Sequence, residues 1–260
     1  MLRKLLICGL AAGACGGVLA TGFVSLAGEP AVDRSIAYEQ ARIVRAARHA
    51  GVERDITVMP APVSRSVQKS VGLLTAALVY GLALGGVFAL VFAVAYGRVA
   101  RAAPRTTAYA LAAAAFVVVF LVPFIKYPAS PPGTTNPATI GRRTLLYVTM
   151  VAISVLAVVI AARLRPALQK RAGPHGATFG AGLAFLLVVA AAGLALPAVN
   201  EIPPDFPATT LWRFREASVG MQAVLWSTIG LVFAPAAQRV LSGQPLIPRR
   251  IAPAIAGAGE

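Results

Sequence analysis

Histidine is nearly missing from this chain: among 260 residues there are two, His49 and His175. Cysteine is as scarce, with Cys8 and Cys15 only, and nine acidic residues face 24 lysines and arginines. No CxxC, HxxxH or HExxH occurs, so the chain encodes no self-contained high-affinity metal site. A nucleotide-binding P-loop is absent too, which excludes ATP as a direct energy source within this polypeptide. Charged residues reach 13%, against about a quarter in soluble domains. That shortage excludes an ordinary soluble fold.

What is abundant is apolar sequence, 58% of the chain, with a mean hydropathy of +0.75. It is gathered into six runs, at residues 5–27, 71–96, 108–125, 144–162, 177–196 and 217–234. About 20 apolar residues suffice for a helix to cross the hydrocarbon core, and only helices or closed barrels satisfy their backbone there. These runs predict an all-α, polytopic integral membrane protein with about six transmembrane helices in one domain, residues 1–234. The first run follows Arg3 and Lys4 but is longer than the core of a signal peptide, so it reads as a retained helix. Cys8 and Cys15 fall in that helix and read as small packing residues. Residues 235–260, rich in Pro, Ala and Gly, are expected to form a disordered cytoplasmic tail.

A net charge of +15 suggests nucleic acid, but the basic residues flank apolar runs, where lipid headgroups are their partners. Nucleic acid is therefore not expected as a partner. Lys and Arg divide evenly, twelve to each side of the membrane, yet seven of one dozen lie in the long mixed-charge loop 28–69. The short loops "GRVARAAPR" and "RLRPALQKRAGPH" carry seven bases and no acid, which places them and both termini in the cytoplasm. Eight of the nine acids then fall outside, all except Glu260. An outer face with negative wells, attractive to cations, is the expectation.

The outer segments have distinct characters. Residues 30–51 predict an amphipathic helix with Val32, Ile36, Ile43 and Val44 toward one side, lying on the membrane, over the bundle mouth, or serving as a solvated connector. "KYPASPPGTTNPATIGRR" is stiffened by four prolines, and Pro123 just before it predicts a kink. "PAVNEIPPDFPATTLWRFREAS" places Glu201, Asp205 and Glu216 on another proline-rich corner. Glycines at fourth positions (Gly9, Gly13, Gly17; Gly81, Gly85; Gly176, Gly180) predict close helix packing.

Five stretches together resemble the family of the predicted cobalt transporter subunit CbtA. They are the opening "RKLL", "GEPAVDRSIAYEQA", "VSRSVQKSVGLLTAALVYGLALGGVFALVFA", "PFIKYPASPPGTTNPATIGRRTLLY" and "LPAVNEIPPDFPATTLWRFREASVGMQAVLWSTIGLVFA". The resemblance implies a multi-pass protein of the bacterial cytoplasmic membrane that moves cobalt with a small single-span, histidine-rich partner, CbtB. It also implies a link to cobalamin supply. Family descriptions often give five spans where six are counted here.

Cobalt(II) accepts carboxylate and carbonyl oxygen as well as imidazole. Glu29 and Asp33 lie four residues apart on one predicted helical face, with Glu39 turned by about 80° from Glu29. Asn200, Glu201 and Asp205 leave helix 5 on the same side of the membrane. If helices 1 and 5 are neighbours, these six form a shallow cation entry site that binds weakly and releases easily. The bland alternative is that Glu29 or Asp33 caps the outer helix while Glu201 and Asp205 pair with Arg213 or Arg215. No ionisable residue lies well inside an apolar run, which weakens a central ion path. Two functions follow: a permease subunit for a divalent cation, or an accessory subunit that positions a partner and transports nothing. Neither is an enzyme, and no tightly bound cofactor is expected.

Overall fold

The computed structural model describes residues 1–50, 63–98 and 102–245, and the regular elements among them are all helical. They are α1 (Leu2–Ala27), α2 (Glu29–His49), α3 (Arg65–Ala95), α4 (Pro104–Lys126), α5 (Ile140–Ala195) and α6 (Ala208–Leu241). All but α2 are long and apolar enough to cross a membrane. The chain is an all-α, multi-pass membrane protein.

Helix α5 is really two helices. Its 56 residues would run about 84 Å if straight. Yet Glu201, just beyond its end, lies 3.7 Å from Arg143 near its start. Likewise, the Tyr127 hydroxyl before α5 donates to the Pro197 carbonyl after it, at 2.9 Å. The reversal is at Gly173, whose φ of +70° suits a residue without Cβ. Pro174 follows at a first-turn position, where a missing N–H costs nothing. Two legs result, 140–172 and 174–195, with Leu168 packed on Gly180. Counting both legs, six apolar helices run between two ends of the molecule.

One end holds Met1, Tyr96, Leu241 and, at the hairpin tip, Gly173. The other holds α2 and the two proline-rich loops. Helix α1 packs between α3 and α6, not beside the second leg of α5. At the α1–α3 seam, Gly9, Gly13 and Gly17 face Gly85, Gly81 and Ala77 so closely that a methyl on any of these three would overlap the opposing carbonyl oxygen. Between helices in lipid, attraction comes from such close packing rather than from expelled water. Phe88, Phe92 and Phe233 then fill the centre, with edge-to-face rings 5.0–5.1 Å apart.

Pro123 alters the hydrogen bonding of α4. The turn Phe116–Leu121 before it is widened to π geometry, so the Val122 N–H bonds the Val117 oxygen. The next donor in that register would be residue 123, which as proline has none, leaving the Val118 oxygen without a backbone partner. Ser154 of α5 supplies it: its fully buried hydroxyl donates to the Val118 carbonyl at 2.5 Å. A defect in one helix thereby fastens the next.

One expectation changes. Residues 235–241 are not tail but the last turns of α6, with Ala237 and Val240 buried in the core. Pro235 is accommodated as in many lipid-embedded helices, because neighbouring helices hold the segment. The remaining stretch 246–260 lies outside the described residues, as do Glu53 and Asp55.

Candidate functional site

The end of the molecule opposite Met1 and Leu241 is built around α2. Gly28 keeps a helical conformation (φ −96°, ψ −44°), so a single residue separates α1 from α2. This amphipathic segment packs against both proline-rich loops. Buried Ser35 donates to the Pro132 carbonyl at 2.6 Å, tying α2 to the first proline-rich loop. Three residues on, Tyr38 donates to Asp205 at 2.6 Å and stacks edge-on against buried Phe206 of the second loop. Gly133 has a φ of +71° and lies directly against the Glu39 side chain, where a Cβ would collide with its carboxylate. One helix thus clamps both loops.

The six residues expected to form an entry site are distributed around this collar rather than gathered. Glu29 accepts from Arg65 at 2.5 Å, and Asp33 accepts from Arg65 at 3.2 Å and from Lys69. Neither caps α2, whose N-terminus has no side-chain cap. Glu201 accepts from the backbone N–H of Asn136 at 3.0 Å and faces Arg143. Asp205 receives the Tyr38 hydroxyl and has Arg45 at 3.9 Å. Arg213 and Arg215, expected across the loop, are not the partners: Arg215 donates instead to the Ala129 carbonyl at 3.4 Å. Glu39 rests on Gly133, and Asn200 is exposed. The proposed contact between helices 1 and 5 does not form, which is why the carboxylates stay apart. Among the described residues, no three His, Cys, Asp or Glu side chains meet in a metal-sized cluster.

The electrostatics follow from these pairs. Hydrogen bonding from Lys69, then from Arg65, holds the Asp33 carboxyl below its usual range despite some desolvation. The Thr139 hydroxyl leads the same effect at Glu201, supported by the Asn136 amide and by Arg143. At Asp205 the Tyr38 hydroxyl dominates, and that phenol is pushed up in return. These carboxylates are ionised at neutral pH, but each faces a base. At these three carboxylates the expected negative well is therefore filled.

Sequence reading missed the partners. Arg65 and Lys69 are four apart, as are Glu29 and Asp33, so each pair presents matched charge on one helical face. That matched spacing was a usable signal, though not proof of pairing.

Residues 2–238 match the family model described as "Probable cobalt transporter subunit (CbtA)". No curated protein and no solved structure matches the chain. With nearly its whole length covered, this chain belongs to the CbtA family and is a cobalt transporter subunit in that sense.

Proposed function

We propose, from this family membership, that the chain is the membrane-embedded permease subunit of a cobalt uptake system in the bacterial cytoplasmic membrane. The match across residues 2–238 carries the reading. Transport, not catalysis, is its task. A small single-span partner of the CbtB type, rich in histidine, supplies the imidazole ligands that a chain with two histidines lacks. Outer carboxylates Glu29, Asp33, Glu39, Glu201 and Asp205, with Asn200, provide weak oxygen ligands at the entrance. Support for this role comes from Asp33, Glu201 and Asp205, whose carboxyls are held below their usual range by hydrogen-bonding neighbours that a divalent cation would have to displace. A membrane potential negative inside drives entry, at about 2.3 kcal/mol per charge per 100 mV.

A second reading is favoured by one observation: Glu29, Asp33, Glu201 and Asp205 are all engaged by bases. On that reading the collar is purely structural and the chain is an accessory subunit that positions its partner. Cobalt uptake into liposomes carrying this protein, with and without the single-span subunit, separates the two. Uptake above that of vesicles holding the partner alone is the expected result; equal uptake leaves only the accessory role. Glu201→Gln and Glu29→Gln are expected to lower that uptake severalfold at equal protein level.

A further inference from the structure

A pocket of about 440 Å³ opens where α1 ends, α2 begins and α6 enters the bundle. Its membrane side is formed by Phe23, Leu26 and Ala27, and its outer side by Arg34, Arg213 and Glu216. Leu26 is 84% exposed, so the apolar part opens toward lipid. Exposed Trp212 adjoins Arg213, and tryptophan so placed favours headgroup depth. The walls are fixed by close contact, since Gly28 packs on Ala217 and Gly220 on the Phe23 ring. In contrast to the paired collar residues, Arg34, Arg213 and Glu216 form no ion pair or side-chain hydrogen bond with the described residues.

We propose that this pocket binds the headgroup of a glycerophospholipid carrying both a phosphodiester and a primary amine. Two guanidinium groups from different helices suit a phosphate, for which arginine is the preferred side chain. The carboxylate of Glu216 in the same pocket suits an ammonium group, and Phe23 with Leu26 receives the start of an acyl chain. Two cations and one anion beside an apolar wall match a zwitterionic headgroup better than a bare anion. The inference is independent of cobalt.

Native mass spectrometry of the intact protein, released from bilayers of equal phosphatidylethanolamine and phosphatidylglycerol, tests it. Wild type is expected to retain phosphatidylethanolamine in excess. Arg34→Gln and Arg213→Gln should each reduce retention about fivefold. Glu216→Gln should keep lipid bound but move the preference toward phosphatidylglycerol. Arg48→Gln, the same charge change at the far end of α2, should leave retention unchanged. Addition of inorganic phosphate is expected not to displace the lipid; displacement would identify a free-anion site and overturn the proposal. Equal loss in the Arg48 variant, or undiminished retention in the Arg34/Arg213 double variant, would overturn it as well.

Discussion

The α1–α3–α6 half and the α5 hairpin are both apolar helices of similar length, yet they are held by opposite means. In α1 and α6, 44% of the apolar window is buried within the protein, whereas for the segment containing α5 it is 17%. The first half relies on backbone approach through glycines, with aromatic side chains closing the centre. The hairpin is exposed along most of its surface, including Phe179, Leu186 and Leu194, and is fastened at a few polar points. Small residues specify a seam along its length; a loosely packed hairpin needs fasteners.

The contrast is broken most severely at the seam. Gly13→Val puts a branched side chain against the Gly81 carbonyl, and overpacking here is expected to cost about 3 kcal/mol. Folded yield in detergent should collapse, while Gly141→Val at the open start of the hairpin should fold normally. A smaller effect is expected from Ser154→Ala, which leaves the Val118 oxygen unsatisfied in lipid: about 1 kcal/mol, read as a lower melting temperature.

Acid separates the regions next. The Glu201 carboxyl is lowered in the folded protein, so its contribution is complete above the ordinary carboxylate range and is lost as pH falls through the lowered value. Asp33 and Asp205 follow the same sign. Hydrogen exchange below about pH 4 should therefore rise in α2 and the proline-rich loops while the α1–α3 glycine seam, whose two helices carry no Asp or Glu, stays protected. Least of all, Phe179→Ala on the lipid face of the second leg should change stability by under about 0.5 kcal/mol. A large loss there would show that another surface covers it.

Much of this architecture was legible. Apolar run lengths marked the long helices, and the basic stretch "RLRPALQKRAGPH" marked the break between the two runs that Gly173 folds back on each other. Glycines at fourth positions announced the seam. Less legible was the last turn of α6, since Pro235 and a run of small residues resemble tail composition until Ala237 and Val240 are seen in the core. The site was least legible. Glu29, Asp33, Glu201 and Asp205 were recognisable as acids flanking the apolar runs, but their partners Arg65, Lys69, Arg143 and Tyr38 lie 32 to 167 positions away.

By itself the sequence determined what must be buried in lipid, where the chain reverses, and which helices carry faces smooth enough to touch. Those properties depend on neighbouring residues and on the solvent around them. Only the tertiary structure decided that helix 1 lies between α3 and α6, and so which base each carboxylate meets. Charge pairing depends on which helix ends come within a few ångströms, and no local pattern fixes that.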